Sequence, residues 1–181
     1  MRLFLAEVSG VGKTTIGTAL AALLGCPFFD LDAEIEQFFA KPLERLQSEC
    51  LTIHTYRKKA CQVLKHLLAR DSSKDCVVAL PPSGLMASYP AIIKASGGVV
   101  VVLTDSPEHI LARITFFDAD SRPLKKILTE EEKRYYLKDI KKDMAYFGRS
   151  YRRADLTVDI SGLGPAASAA KVRDMVMQTE G

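Results

Sequence analysis

The sequence is poor in the residues that hold together very small or metal-dependent proteins. It has four cysteines and three histidines in 181 residues. The cysteines are too far apart for a zinc knuckle, and the histidines are isolated from one another. This scarcity excludes a disulfide scaffold and a zinc module, so the fold must rest on a hydrophobic core. Cysteines used in this way are also typical of a reduced compartment.

Long apolar runs and a strong charge imbalance are missing as well. The longest apolar stretch, residues 99–103, is far shorter than the roughly 20 residues that cross a bilayer, and the N-terminus lacks a secretory pattern. A net charge of +3 argues against a nucleic-acid surface but leaves room for a local cationic pocket for phosphates. We therefore expect a cytoplasmic monomer whose partner is a small molecule, without membrane or nucleic-acid contacts.

The remaining composition suits one α/β domain over residues 1–181. The chain is 48% hydrophobic and 26% charged, and strand-like and helix-like patterns alternate along it, which is typical of a parallel sheet with helices on both faces. The predicted strands are residues 2–6, 27–31, 75–80, 99–103 and 156–159. Ser106-Pro107 predicts the start of a helix that runs to about Arg113, and Thr129-x-x-Glu132 is a capping box that opens another.

A glycine-rich segment joins the first predicted strand to an apolar helix at residues 16–24. In such a segment the backbone N–H groups surround phosphate oxygens at a helix N-terminus, a lysine adds positive charge, and a hydroxyl serves Mg²⁺. The predicted nucleotide-binding residues are Gly10, Val11, Gly12, Lys13, Thr14 and Thr15. The pattern expects glycine where this chain has Glu7, whose carboxylate would face triphosphate oxygens unless its side chain turns away. ATP is the expected cofactor.

Two carboxylates follow the second predicted strand. Asp30 and Asp32 would lie on the same side of an extended segment, because side chains alternate along a strand. One carboxylate would hold the Mg²⁺ hydration shell while the other orients or deprotonates an acceptor hydroxyl, which is the division that phosphoryl transfer needs. The alternative is that Asp32 only caps a helix at residues 33–39.

Further candidates lie on a helix, in a loop and at a turn. Arg57 would bind an anionic acceptor bidentately, or would belong to a solvated basic face. The charged stretch at residues 116–128 is predicted to be a lid, with an ordinary surface loop as the alternative, and its Arg122 would stabilise the transferring phosphoryl group. The turn of Pro81, Pro82, Ser83 and Gly84 follows the third strand, where ligands bind in parallel sheets. Ser83 is therefore assigned to the acceptor site.

Taken together, these motifs resemble the shikimate kinases, a family of P-loop kinases similar to nucleoside-monophosphate kinases. The resemblance covers Gly10-x-Gly12-Lys13-Thr14-Thr15, Phe29-Asp30-Leu31-Asp32-x-Glu34-Ile35-Glu36, Tyr56-Arg57, Arg122-Pro123-Leu124 and residues 154–158. It implies a three-layer P-loop kinase fold with a five-stranded parallel sheet and a small lid. It also implies that Lys13 contacts phosphate, that Thr14 and Asp30 serve Mg²⁺, that Asp32 and Arg57 bind the acceptor, and that Arg122 closes over ATP.

Three departures from the family pattern stand beside this resemblance. The family's triglycine after the third strand is here Pro81-Pro82-Ser83, and proline removes N–H donors and fixes φ. The arginine that binds the substrate carboxylate in the family falls on Tyr146 or Phe147, which leaves Arg149, Arg152 or Arg153 as a replacement. Glu7 is the third departure.

The sequence thus favours an enzyme, an ATP-dependent small-molecule kinase. Lys13, Asp32 and Arg122 are its expected catalytic residues, and the expected reaction is phosphorylation of a hydroxyl of a small anionic metabolite, with shikimate as the leading acceptor. The alternative is a nucleotide-binding protein that keeps the fold without transferring phosphate and acts by regulation or partner binding. The three departures favour that alternative, whereas Lys13, Asp30, Asp32 and Arg122 favour the kinase.

Overall fold

The computed structural model describes residues 1–8, 10, 12–114, 116–117, 123–124 and 127–179, with the backbone alone at 116–117 and 123–124. The strands are β1 (Arg2–Ala6), β2 (Phe28–Asp30), β3 (Cys76–Ala79), β4 (Val99–Thr104), β5 (Phe116–Phe117), β6 (Pro123–Leu124) and β7 (Leu156–Asp159). The helices are α1 (Lys13–Leu24), α2 (Leu31–Phe39), α3 (Leu43–Ser48), α4 (Ile53–Leu68), α5 (Tyr89–Ala95), α6 (Pro107–Arg113), α7 (Glu130–Tyr151) and α8 (Pro165–Thr179). No helix in these ranges is both long enough and apolar enough to cross a membrane.

Five of the strands form one parallel sheet, as predicted. Their order is β2-β3-β1-β4-β7, and every neighbouring pair is parallel. The chain fills one side of β1 with β2 and β3 before it crosses to β4 and β7 on the other side. The strand order therefore reverses at β1, and the crevice beyond the carboxyl ends of β1, β3 and β4 is where such sheets bind ligands.

The side chains of β1 alternate between the two faces of the sheet, and this explains why helices pack on both faces. Phe4 and Ala6 face a core that includes residues of α2, α4 and α5, whereas Leu3 and Leu5 face a second core with residues of α1, α6 and α8. All four side chains are buried, because a central parallel strand is covered on both faces. The predicted three-layer fold is therefore confirmed.

Local capping signals set the helix boundaries that position the site. The Ser106 hydroxyl accepts the His109 N–H at the start of α6. Thr129 and Glu132 form the expected capping box at the start of α7. The predicted lid at residues 116–128 falls largely outside the described residues, within which β5 and β6 pair antiparallel.

Candidate active site

The phosphate loop meets α1 through two glycines with positive φ. Gly10 has φ 91° and Gly12 has φ 96°, a region that side chains with a Cβ avoid. The Gly12 carbonyl accepts the Ile16 N–H at 2.8 Å, and within the described residues no side chain caps the N-terminus of α1. The N–H groups of the first turn are thus left for an anion, and the helix dipole favours negative charge there.

Lys13 lies at the centre of the charged groups of the site. Its ammonium donates to the carbonyls of Glu7 at 2.9 Å and Val8 at 3.2 Å. Burial lowers the pKa of Lys13, while Glu7 in its ionised form and the negative charges of Asp32 and Asp30 oppose that effect. The ammonium therefore lies at the end of β1 within the field of three carboxyl groups, and triphosphate oxygens can replace the two carbonyls.

Asp30 connects the phosphate loop to the second strand, and it corrects two expectations. Strand β2 ends at Asp30, so Asp32 lies in the first turn of α2 rather than on an extended segment. The cap of this helix is Asp30, whose carboxylate accepts the Asp32 N–H at 3.0 Å. The capping alternative for Asp32 is therefore wrong. The other oxygen of Asp30 accepts the Thr14 hydroxyl at 2.7 Å, which joins the two predicted Mg²⁺ residues.

Asp32 does not cap α2, and its carboxylate has the properties of a proton acceptor. Its pKa is raised to about 6, chiefly by burial and next by the charge of Asp30, while Lys13 lowers it. A carboxylate whose pKa lies just below neutrality is ionised at pH 7 and still basic enough to accept a proton. Such a shift in a cleft is typical of a catalytic acid or base.

Glu7 turns away from the phosphate loop and into the protein. Its side chain is 3% exposed, lines a cavity with residues of β4 and α7, and has one oxygen that finds no hydrogen-bond partner in the described part of the chain. Burial raises the pKa of Glu7 to about 9, and Asp105 adds to this while Lys13 and Arg113 oppose it. At pH 7 the side chain is a neutral acid, so the expected clash with phosphate does not arise from a carboxylate.

Tyr89 lies near both Asp32 and Arg57. The Arg57 Nε and the Tyr89 hydroxyl are both buried, and neither has a hydrogen-bond partner among the described residues. The pKa of Tyr89 is raised, first by burial and then by groups that include Asp32, whereas Arg57 lowers it. Arg57 is therefore not part of a solvated basic face. The sequence analysis missed Tyr89, because nothing local distinguishes it from other aromatic residues of the core.

We expect Tyr89→Phe to stabilise the fold and to weaken acceptor binding. A buried hydroxyl without a partner costs about 1 to 3 kcal/mol, which phenylalanine removes, whereas an acceptor bound beside Arg57 loses a hydroxyl with which it would form a hydrogen bond. Urea unfolding and the KM of the acceptor measure the two effects. Tyr56→Phe is the matched control, since the Tyr56 hydroxyl is hydrogen-bonded to Gln47 and its removal should destabilise. A destabilised Tyr89→Phe variant would contradict the prediction.

The proline turn follows β3 at the carboxyl end of the sheet, and its place beside the acceptor site stays a prediction. The Gly84 N–H donates to the Pro81 carbonyl at 2.8 Å, which closes the turn around the half-buried Ser83. A Cβ on Gly84 would lie 2.5 Å from that of Leu80, so the turn needs glycine here. The Tyr151 hydroxyl donates to the Pro82 carbonyl at 3.1 Å. Helix α7 is therefore attached directly to the turn that takes the place of the triglycine.

The three arginines near the end of α7 line two different cavities in the structure. Arg149 lines a hollow of about 460 Å³ together with Tyr146 and the residues that follow the turn. Arg153 lines it as well but donates to the Leu85 carbonyl at 3.4 Å, and Arg152 lines the cavity that contains Glu7. Arg149 and Arg153 thus both line a hollow beside the turn, and the replacement of the missing carboxylate ligand by one of these arginines stays a prediction.

A second hollow, which was not predicted from the sequence, adjoins the phosphate loop. It measures about 280 Å³ and is lined by Gly10, Gly12, Thr15, Ile16, Arg113, Leu163 and Pro165. Arg113 forms an ion pair with the buried Asp105 at 2.7 Å. The signal that was available is the position of Arg113, one helix beyond the carboxyl end of β4. Val11 and Arg122, both predicted site residues, lie outside the described residues.

Comparison with known proteins identifies the family to which this arrangement belongs. The sequence profile described as "Shikimate kinase" matches residues 9–176. The chain belongs to the shikimate kinase family. The match includes the phosphate loop, Asp30, Asp32, Arg57 and the lid segment, so the resemblance drawn from these motifs is confirmed.

Individual shikimate kinases are similar to this chain over matched segments of different length. The chain is 38% identical over 124 residues to a shikimate kinase of Chlorobium phaeobacteroides, a match that spans 68% of this chain and 59% of that protein. It is 29% identical to one from Caldicellulosiruptor saccharolyticus over 94% of this chain and 92% of that protein. A shikimate kinase of Acinetobacter baumannii, solved in complex with shikimate, has 25% identity and a TM-score of 0.74, over 98% and 93% of the two chains.

Proposed function

We propose that this shikimate kinase family member transfers the γ-phosphoryl group of ATP to a hydroxyl of a small carboxylate, with shikimate as the first candidate. The observation that carries the proposal is the group formed by Lys13, Asp30 and Asp32. A half-buried cation, a carboxylate bonded to Thr14 and a second carboxylate with a pKa of about 6 act on one another at the end of β1. Family membership and the 25% identical neighbour with bound shikimate support the choice of acceptor.

Each residue has a definite part in the proposed transfer. Asp32 accepts the proton of the acceptor hydroxyl, whose oxygen bonds to the γ-phosphorus while the bond to the bridging oxygen of ADP breaks. Lys13 offsets the charge of the phosphoryl oxygens, and the N–H groups of α1 hold the remaining phosphates. Arg57 binds the acceptor carboxylate. Positioning and charge neutralisation thus supply the catalysis, without a covalent enzyme intermediate.

Mg²⁺ fits the pair formed by Thr14 and Asp30. A hydroxyl and a carboxylate 2.7 Å apart beside a phosphate loop are hard oxygen ligands, and Mg²⁺ is usually held by one or two such groups together with substrate phosphates and water. When bound, the ion neutralises phosphate charge. These two residues would hold it directly or through water.

The hollow beside the phosphate loop suits the adenine end of the nucleotide. A guanidinium stacks on flat aromatic rings, and Leu163 and Pro165 provide apolar surface across from Arg113. Asp105 holds Arg113 through the 2.7 Å ion pair, so the stacking surface is already oriented.

The cytoplasmic location and the monomeric state remain predictions.

The test is ADP release from Mg·ATP with shikimate, gluconate, nucleoside monophosphates or no acceptor, at equal protein concentration. We expect release with shikimate above the other three conditions, and loss of that release when EDTA removes Mg²⁺. Direct ATP binding is measured on the same samples. Bound ATP without ADP release above background for any acceptor would contradict the proposal.

That contrary result would favour the nucleotide-binding alternative. Two observations support it: the proline turn lacks the N–H donors of a triglycine, and a buried acid occupies the first position of the phosphate loop. Both leave Lys13, Thr14 and the N-terminus of α1 unaltered. A protein without transfer would therefore still bind Mg·ATP, and binding alone does not distinguish the two functions.

A further inference from the structure

A cavity separate from the proposed transfer site lies between the ends of β1, β4 and β7 and helix α7. Its volume is about 270 Å³. Its lining consists of Glu7, Val8, Val102, Leu103, Thr104, Asp105, Met144, Gly148, Tyr151, Arg152 and Thr157. None of the proposed transfer residues Lys13, Asp30, Asp32 and Arg57 is among them. The cavity therefore belongs neither to the acceptor site nor to the hollow proposed for adenine.

The side chains that line the cavity indicate which class of ligand it would bind. Most of the wall is apolar, and Glu7 presents a buried carboxyl oxygen without a partner. Asp105 also lines the cavity, but it is paired with His109 at 2.8 Å and Arg113 at 2.7 Å. Arg152 is the cationic residue of the described lining, and it is exposed. An apolar ligand with an anionic end would satisfy the unpartnered acid and the guanidinium, whereas an ammonium group would be repelled by Arg152.

Two hydrogen bonds connect this cavity to the transfer machinery. The Glu7 backbone carbonyl accepts the Lys13 ammonium at 2.9 Å, and the Tyr151 hydroxyl donates to the Pro82 carbonyl at 3.1 Å. A ligand in the cavity would contact both Glu7 and Tyr151.

We propose that this cavity binds a small aromatic or branched aliphatic carboxylate through Glu7 and Arg152. The proposal concerns binding and does not depend on phosphoryl transfer. It holds equally if the protein binds ATP without turnover.

The test uses phenylacetate as the probe and phenethylamine as a cationic probe of similar size, both measured by calorimetry and ligand-observed NMR on the whole chain. We expect phenylacetate to bind and phenethylamine not to bind. Binding of phenethylamine in place of phenylacetate would overturn the proposed ligand class. Failure of phenylacetate to bind would overturn the proposed site.

Two variants of α7 locate the bound probe. Gly148 lines this cavity and a Cβ on it meets open space, so Gly148→Leu adds bulk to the cavity wall and should abolish phenylacetate binding. Ala145→Leu introduces the same side chain on the side of α7 that lines the other hollow, and it should leave phenylacetate binding unchanged. The reverse result would place the probe beside Arg149 and overturn the proposal.

Two variants at Glu7 test the role of the acid itself. Glu7→Leu removes the donor and should weaken phenylacetate binding by about tenfold, the equivalent of one hydrogen bond. Glu7→Gln keeps an N–H donor and should retain most of the affinity. Thermal unfolding of each variant establishes that it is folded. Equal binding by the Leu and Gln variants would overturn the assignment of Glu7 as the ligand's partner.

Discussion

Replacement of Asp32 by asparagine is expected to lower kcat by about 10² to 10⁴, the usual contribution of a general base, while the Kd of ATP stays nearly unchanged. Asparagine keeps the size of the side chain and removes its ability to accept a proton. Because Asp30 rather than Asp32 caps α2 and bonds to Thr14, the substitution leaves the helix start and the predicted Mg²⁺ pair intact. Steady-state kinetics with shikimate and direct ATP titration measure the two quantities.

Glu36→Gln provides a matched control on the same helix. Glu36 is exposed, lies one turn beyond Asp32, and accepts the Leu43 N–H at 2.8 Å, which a glutamine oxygen also accepts. Its variant should turn over at nearly the rate of the unaltered protein. If Asp32→Asn loses ATP binding, or if Glu36→Gln slows turnover as strongly, then Asp32 does not act as the base.

The pH dependence of the reaction gives an independent measure of the same role. The pKa of Asp32 is about 6, and only its ionised form accepts a proton. We therefore expect kcat/KM to be low at pH 5, to rise through about pH 6, and to level off above pH 7, since kcat/KM reports groups of the free enzyme. The residual activity of Asp32→Asn should lack this rise.

The order of the elements was predictable because each element carries its own signal. Ser106-Pro107 and Thr129-x-x-Glu132 fix the starts of α6 and α7 through short-range hydrogen bonds. The run of valines in β4 marks a strand buried on both faces. Such signals lie within a few residues of the boundary that they set, so no knowledge of the rest of the fold was needed.

The role of Asp30 could not be read in the same way. Two aspartates flank Leu31, and either can cap a helix. The choice depends on where β2 stops, and β2 stops where its parallel pairing with β3 ends, at Asp30 opposite Ala79. That pairing joins residues almost fifty positions apart, so the local sequence does not determine it.

Long-range packing also explains what the sequence left open at Glu7 and Tyr89. The phosphate-loop pattern identified Glu7 as a departure, but the direction of its side chain depends on space left by β4 and α7. Tyr89 becomes notable only because its hydroxyl, 0% exposed, comes to lie near Asp32 and Arg57 without a partner. Both are properties of the assembled core rather than of a motif.

Glu7→Gln is expected to stabilise the protein at neutral pH and to have almost no effect on stability at acidic pH. The pKa of Glu7 rises from an ordinary 4.5 to about 9 on folding, so between these values the folded state holds a proton that the unfolded state releases. The free energy of unfolding therefore falls as pH rises across this interval. At pH 7 the loss is about 3 kcal/mol, at 1.36 kcal/mol for each pH unit above the unfolded pKa. Glutamine has no proton to retain and avoids this loss.

Urea unfolding at pH 5 and pH 7 measures the difference between the two proteins. The gain should be small at pH 5 and should approach 3 kcal/mol at pH 7, whereas Glu131→Gln, a change of an exposed glutamate in α7, should give no such divergence. An equal effect of Glu7→Gln at the two pH values would mean that Glu7 is ionised in the folded protein. In that case the ionised Glu7 would be a buried negative charge in the phosphate loop, and it would oppose the binding of ATP. A stability gain that grows with pH, with an unchanged Kd of ATP, would instead show that the loop accommodates glutamate by keeping it protonated.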